Sequence, residues 1–340
     1  MTEKNDNGRV RLSFLQLALN TSDIAATMRL YCEVFGFANG GGQGVWGELI
    51  KVQGLDESAR AVMWWMVGRQ EFTQLELFHH TNPMQRLQPP GWRPCDIGWS
   101  RYGISVPDFD ASLAALSTWN IALIAPPVST ERGKRAAFRD PYVGAVVEIL
   151  GEETTMPGGI RKKHFDLDPA IIYVTSSVSD IDAALHYYRD MMDLEILPLD
   201  VLHAPEDEAI WGLAGAKRKG FVARAKDTFL EILQYTDPVG QARPADHRIC
   251  DQGIMNIALG ARDTGLVQNA IDRLDAEKRG PKVIFSAPDM LGTYINDAER
   301  EIELFSCPSS FDAALGFAPG PDFLGAPNKE TGASFSVVFR

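Results

Sequence analysis

The sequence is short of the residues that build metal ribbons, disulfide frameworks, membrane spans and phosphate-binding surfaces. Its 340 residues include four cysteines, Cys32, Cys95, Cys250 and Cys307, far apart and with no CxxC pair. That spacing excludes a zinc ribbon or a disulfide scaffold and predicts reduced thiols. No stretch approaches the roughly 18 uninterrupted apolar residues of a membrane helix. The opening MTEKNDNGRVR is polar, without the apolar core of a secretory signal, so the expectation is a cytoplasmic protein with no membrane partner. Lys and Arg number 33 against 45 Asp and Glu, a net charge of −12, which argues against a surface that tracks nucleic-acid phosphates. Histidine is scarce and unpaired in spacing. His79 and His80 are adjacent and point to opposite faces of a strand, while His164, His186, His203 and His247 fall in linker, helix or loop patterns and read as structural or exposed. The run GGGQG at 40–44 has no following Lys-Ser/Thr and opens no helix, so it is not a phosphate loop and reads as a mobile turn.

What the sequence does have is a globular composition, 45% apolar and 23% charged with Gly and Pro scattered, at about twice the length of one domain. It also has an internal repeat. LELFHHTNP and LEILQYTDP align Leu75, Glu76, Thr81 and Pro83 with Leu230, Glu231, Thr236 and Pro238, and Cys95, Asp96, Gly98, Asp108 and Glu148 recur as Cys250, Asp251, Gly253, Asp263 and Glu303. One half is a copy of the other, and each half divides again into an apolar strand, a helix opened by a Ser-Asp or Pro-Asp step, and further short strands. Helices are expected over 24–35, 111–119, 182–191 and 266–274. Strands are expected over 12–20, 45–49, 61–67, 74–80, 102–106, 146–150, 171–175, 209–211, 221–225, 228–234, 255–260 and 301–305. Alternation in FLQLALN turns Leu15, Leu17 and Leu19 toward the helices and Gln16, Ala18 and Asn20 inward, and leaves Gln74, Glu76, Phe78 and His80 on one face. A carboxylate in an apolar strand costs several kcal/mol, on the order of magnitude, if dry and unpaired. Glu76, Glu148, Glu231 and Glu303 each therefore need a cation, donors or water.

Four βαβββ units, with RLYCEVFGF and HYYRDMMDLEI between helix and strand and FRDPYVGAVVEIL as a closing strand, resemble the vicinal oxygen chelate superfamily. That superfamily includes glyoxalase I, bleomycin-resistance proteins and extradiol dioxygenases. The resemblance implies an α+β fold of four βαβββ modules forming two tandem barrels of mixed sheet with helices outside. It implies an N-terminal domain of two modules over 10–152, a linker over 153–168, a C-terminal domain of two modules over 169–307, and an irregular, covering tail over 308–340.

In that family a metal is held by the residue seven before the helix-opening Asp of each first strand and by the Glu of the closing strand. Carried over, this gives Gln16, Glu76, Arg101 and Glu148 in the first half, and Tyr173, Glu231, Asn256 and Glu303 in the second. Arg101 offers only donors and stays protonated, so it cannot coordinate a cation. It instead bridges Glu76 and Glu148, either as a satisfied ion cluster or as an anion site for substrate. Neither extradiol histidine position holds His, which speaks against a tightly held Fe(II). The second-half set suits proton transfer: Glu231 or Glu303 as base, Tyr173 as acid or donor, Asn256 orienting an oxygen. An inherited polar core without turnover, and a divalent metal on Glu303 and Glu231, stand beside that reading. His80 could line the first cavity, though a solvated His at a strand end is the plainer expectation. Trp46, Met63, Trp64, Trp65 and Met66 furnish the first cavity by alternation, and Trp211 and Phe221 the second, which favours a flat apolar ligand. The function implied is acid-base chemistry, as lyase, isomerase or hydrolytic cleavage, on a small aromatic or enolisable carbonyl compound, without a His-ligated metal. The alternatives are an extradiol-type dioxygenase or glyoxalase-like metalloenzyme with atypical ligands, and a non-catalytic binder of a planar ligand. A homodimer is compatible with the pattern.

Overall fold

The computed structural model describes residues 10–130, 132–152, 163–295, 299 and 301–321. Four units follow one another. The first comprises β1 (Ser13–Asn20), α1 (Ile24–Phe35), β2 (Ala38–Trp46), α2 (Glu48–Lys51), β3 (Arg60–Val67) and β4 (Gln74–Asn82). The second comprises β5 (Gly98–Val106), α3 (Phe109–Thr118), β6 (Val128–Thr130), β7 (Gly133–Arg139) and β8 (Val146–Gly151). The third comprises β9 (Ala170–Ser177), α4 (Ile181–His186, continued by a π turn over Tyr187–Met191), β10 (Glu195–Leu197), β11 (Lys217–Ala225) and β12 (Thr228–Asp237). The fourth comprises β13 (Gly253–Ala261), α5 (Thr264–Ala276), β14 (Ile284–Ala287), β15 (Met290–Ile295) and β16 (Ile302–Ser306).

The same device opens the main helix of each unit. Asp23, Asp108, Asp180 and Asp263 sit in extended backbone, and each carboxylate accepts from backbone N–H groups of the first turn at 2.8 to 3.1 Å. Such a cap satisfies donors that the helix itself cannot. The apolar faces of α1 and α5 bury Met28, Leu30, Tyr31, Val267 and Ile271 against Leu17, Leu19, Leu75, Leu77, Ile257 and Leu304, on the face of the sheet away from its hollow. The fold is thus α+β, with mixed sheet and helices outside, as expected.

Which units share a sheet differs from the expected pairing of neighbours. One eight-stranded sheet runs β14-β15-β16-β13-β1-β4-β3-β2, and the other β10-β11-β12-β9-β5-β8-β7-β6. Unit one therefore joins unit four through antiparallel β1 and β13, and unit two joins unit three through antiparallel β5 and β9. Within every unit the first strand lies parallel to the closing strand. The repeat makes all four first strands alike, so local pattern is equally content with either pairing. Each half of the chain contributes half of both sheets. A fragment ending at residue 152 would expose the edges of β1 and β5, so we expect it to aggregate or self-associate alone and to give a discrete species only when co-expressed with residues 163–340, as size-exclusion chromatography will show.

Four local expectations are corrected. The glycine run at 40–44 is no turn but part of β2, paired with β3. A β-carbon at Gly42 would lie 2.3 Å from the Trp64 ring, so glycine here lets an indole lie across the strand. Strand β2 also ends at Trp46, and residues 48–51 turn helical. Residues 209–211 belong to a 3₁₀ helix over Pro205–Trp211, with Pro at its start and Gly212 left-handed at φ 78° past its end. A register shift between Phe14 and Gln16 turns Leu15 to the inner side, against Leu315 and Phe317. The linker positions 153–162 and the tail beyond 321 lie outside the described residues. Among the described residues no helix is long and apolar enough to cross a membrane, and none of the four cysteines is in a disulfide.

Candidate functional site

The pairing of units regroups the eight positions at the strand ends. Gln16, Glu76, Asn256 and Glu303 come together on the first sheet, where β1 carries Ala18 opposite both Asn256 and Glu76, and β13 carries Ala258 opposite Glu303. Arg101, Glu148, Tyr173 and Glu231 come together on the second, where Gly103 lies opposite both Tyr173 and Glu148, and Thr175 opposite both Arg101 and Glu231. Arg101 therefore does not bridge Glu76 and Glu148, and Tyr173 and Glu231 share no cavity with Asn256 and Glu303.

The second sheet's hollow is filled. Arg101 is fully buried, its Nη2 2.8 Å from Glu231 Oε2, while Nη1 donates to the Tyr235 hydroxyl at 2.8 Å. Glu231 also accepts from Thr175 Oγ1 at 2.7 Å and lies 2.8 Å from His203 Nδ1. Arg135 Nε donates to Glu148 at 2.5 Å, and its Nη1 meets Asp207 at 2.8 Å. Glu148 further accepts from Trp211 Nε1 at 3.1 Å and from the Tyr173 hydroxyl. The Arg101 guanidinium stacks 3.8 Å above the Trp211 ring. Burial pushes Glu231 up, but His203 and Arg101 outweigh it and hold its carboxyl well below the usual range. His203, Asp207, Glu208 and Trp211 all come from the segment between β10 and β11, which plugs this barrel. A β-carbon at Gly103 would lie 2.1 Å from the Tyr173 ring, so glycine there gives the phenol its room. His203, expected structural or exposed, is structural and fully buried. Trp211 is plug rather than cavity wall. Phe221 faces the helices, 6.1 Å from Tyr188.

The first sheet's hollow is open. A cavity of about 100 Å³ is lined by Gln16, Glu76 and Glu303, by the aromatic rings of Trp65, Phe78, Tyr294, Phe285, Phe305 and Phe317, and by Leu49, Val52 and Gln53 from the turn carrying α2. Glu76 lies opposite Trp65 across β3 and β4, and its Oε1 accepts from the indole Nε1 at 3.0 Å. Glu303 lies opposite Tyr294. Asn256 is fully buried against Tyr294. In this polar set Gln16 Oε1, Glu76 Oε2, Asn256 Oδ1 and Glu303 Oε2 are buried without a hydrogen-bond partner. Buried oxygens of this kind are costly in a fold unless donors, water or a ligand answer them.

The electrostatics follow from burial. With no Lys, Arg or His among the described lining residues, desolvation lifts the Glu76 carboxyl from 4.5 to about 7, against the partial relief of the Trp65 donor. Glu303 is raised well above the carboxylate range, by burial first and by the Glu76 charge second. Two carboxyls thus hold a proton at neutral pH. Because the folded value of Glu76 lies above its ordinary 4.5, its contribution to stability is fully present below that pH and is lost as pH rises through about 7. The melting temperature should fall over that interval, and Glu76→Gln should flatten the fall in a calorimetric pH series.

Gln74 holds Gln16 in place. With its amide oriented to suit its neighbours, Gln74 Oε1 accepts from Gln16 Nε2 at 2.6 Å, and its Nε2 donates to the carbonyls of Leu315 (3.1 Å) and Gly316. Gln16 Oε1 is left for the cavity, and the tail segment is strapped down as its wall. Asn39 Nδ2 donating to Pro321 O at 2.7 Å, and Arg262 paired with Asp312 at 2.6 and 2.8 Å, fasten the same segment. Gln74→Leu would leave buried carbonyls unpaired, and we expect a loss of about 1–3 kcal/mol in urea unfolding, with new protease cleavage between 307 and 321.

His80, expected at the solvent, is buried behind the cavity. It stacks on Phe78 at 5.6 Å, with Nε2 3.3 Å from Gln53 Oε1, and burial lowers its pKa to about 4. Met63 and Trp65 face the cavity, Trp64 and Met66 pack toward the helices, and Trp46 is exposed. Tyr294, Leu315 and Phe317 were not singled out in the sequence, and Gln74 was placed only on the face of Glu76. Tyr294 could have been, as the residue one hairpin before Glu303. A separate cavity of about 150 Å³ lies where the loops before β5 and β13 cross. Its charged groups are already answered, Arg86 by Asp251 and Asp246 and Arg243 by Glu301.

Neither set contains the histidines of an iron-binding face. Among the described residues no three His, Cys, Asp or Glu side chains converge for a metal, so a metal at the first site would rest on amides as much as on carboxylates. Four oxygen donors suit a hard divalent cation, and the unpartnered oxygens fit one.

The fold is shared with solved structures of low sequence identity. The chain is similar to a candidate dioxygenase of Bacillus subtilis, with a TM-score of 0.58 and 12% identity over 89% of this chain and 87% of that one. It is similar also to glyoxalase I of Zea mays, with a TM-score of 0.52 and 14% identity over 87% of this chain and 92% of that one. No protein-family model matches the sequence, and no curated protein sequence matches it. Enzymes of this fold are its structural neighbours.

Proposed function

We propose that this protein is an enzyme that moves a proton on a small aromatic or enolisable carbonyl compound bound in the first sheet's cavity, as an isomerase or lyase. The observation that carries the reading is the pair Glu76 and Glu303. Both are carboxyls with an unpartnered buried oxygen in an aromatic cavity, sharing a proton near neutral pH. A base works best with a pKa near the working pH, and two carboxyls in one dry site supply base and acid together. Glu76, when ionised, takes the proton from the carbon next to the carbonyl. Glu303, which holds its proton beside the Glu76 charge, gives it to the carbonyl oxygen, forming an enol or enediol. For an α-hydroxyketone, return of a proton to the former carbonyl carbon, with the hydroxyl proton of the adjacent carbon passing to the ionised carboxyl, completes an isomerisation; where the β-carbon bears a leaving group, its departure with the bonding pair completes an elimination. Gln16 and Asn256 orient the substrate oxygens, and the turn carrying α2 lines the cavity with Leu49 and Val52. A hard divalent cation held by Gln16, Glu76, Asn256 and Glu303 would polarise the carbonyl oxygen when bound. Histidine-ligated iron chemistry does not fit this donor set.

The test is solvent exchange. Incubated in D₂O, 2-hydroxyacetophenone should exchange its α-protons faster with the protein than with buffer alone, read by ¹H NMR. No acceleration for it or for a panel of aryl and alkyl α-hydroxyketones would remove the reading. A second reading, a metalloenzyme whose reaction needs the cation, is favoured by the four unpartnered oxygens. Metal analysis of protein purified without chelator, followed by exchange measured before and after chelation, separates the two.

A further inference from the structure

The charge pattern of the same cavity selects among carbonyl compounds. Building on the proposed function, we infer that the substrate is uncharged and ring-bearing, and that carboxylate- or phosphate-bearing compounds are refused. Among the described lining residues the only charged groups are the two carboxylates, Glu76 and Glu303. No Lys, Arg or His stands among the described lining residues.

The arginines that could have answered an anion are spent elsewhere. Arg101 and Arg135 are locked to Glu231, Glu148 and Asp207 in the plugged barrel. Arg262 stacks 3.4 Å over Phe72 and pairs with Asp312, outside the cavity wall. What the wall does offer is aromatic surface, from Trp65, Phe78 and Phe305 among others, and two neutral amides, Gln43 and Gln53, on the side of the α2 turn. Rings and amides recognise a flat neutral molecule with one or two oxygens. An anion brought there would lose its water and meet a negative charge with no donor cation to compensate it. The duplicated chain has thus divided its two barrels. One spends its cations on an internal network that fills the hollow, and the other has none and stays open to a neutral guest.

The experiment compares two molecules of the same ring and similar size, 2-hydroxyacetophenone and phenylglyoxylate, by calorimetric titration of the full chain as purified, at pH 8. The expected result is saturable binding of the ketone and at least tenfold weaker binding of the anion, a tenfold ratio being about 1.4 kcal/mol. In the double variant Glu76→Gln, Glu303→Gln, the anion should bind at least about fivefold tighter than it does to the unaltered protein. Equal or tighter binding of the anion to the unaltered protein, no binding of the ketone, or an unchanged anion affinity in the double variant would each overturn the inference. Binding without α-proton exchange would remove the proposed reaction and leave this selectivity standing, so the two fail separately.

Discussion

Glu303→Gln is expected to lower α-proton exchange by about a thousandfold or more, the scale on which a positioned acid or base contributes, without loss of fold. The amide fills the same volume and has no carboxyl proton to give or take. It also removes one of two carboxyls that repel each other in a dry cavity, so the unfolding midpoint in urea should stay level or rise at pH 8. Glu76→Gln is expected to do the same to exchange, because a lone carboxyl cannot serve as base and acid at once. Loss of exchange with retained stability is the signature of a group kept for chemistry. An unchanged exchange rate in both variants would place the reaction elsewhere.

The opposite outcome is expected one barrel away. Arg101→Met leaves Glu231 with His203 and Thr175 but without its guanidinium, and leaves Trp211 and Tyr235 without the group packed against them. Removing one member of a fully buried ion network costs about 3–5 kcal/mol, because the remaining charge has no water to turn to. Chemical unfolding of Arg101→Met should show a fall of that size, and Glu231→Gln a fall of similar kind, with exchange per folded molecule unchanged. A replacement of both, Arg101→Met with Glu231→Leu, should recover part of the loss, since an apolar pair of similar volume leaves no charge stranded. If Glu231→Gln instead abolished exchange while leaving stability intact, the plugged barrel would be the working one.

The contrast between the barrels shows how far the residues could be read in advance. The repeat, the Asp-opened helices and the inward face of β4 follow from local rules, and α1 lies over Ile24–Phe35 as expected. Alternation along a strand says which side chains face the hollow, and Gln16 and Glu76, read that way, do line it. It does not say which hollow, because the choice of partner unit is made by contacts between β1 and β13 and between β5 and β9, which are far apart in sequence. For that reason Asn256 and Glu303 were grouped with Tyr173 and Glu231, and Arg101 with Gln16 and Glu76. The plug was invisible for another reason. His203, Glu208 and Trp211 stand in a stretch with strand-like apolar residues, and only Pro205 and Gly212 at its ends hint at the 3₁₀ turn that carries them inward. Leu15 went astray through a single bulge, and the glycines of β2 through a cross-strand indole that no local rule anticipates.

The central claim is that Glu76 and Glu303 face one apolar cavity and keep a proton between them. Carbon-13 NMR titration of the glutamate carboxyls in chelator-treated protein, with Glu76→Gln and Glu303→Gln to assign the signals, tests it directly. The account predicts one carboxyl titrating at about 7 and its partner well above 4.5, with Glu303 falling when Glu76 is replaced, because the Glu76 charge is part of what raises it, and Glu76 still held up by burial when Glu303 is replaced. Two carboxyls that both titrate near 4.5, each indifferent to loss of the other, would contradict it.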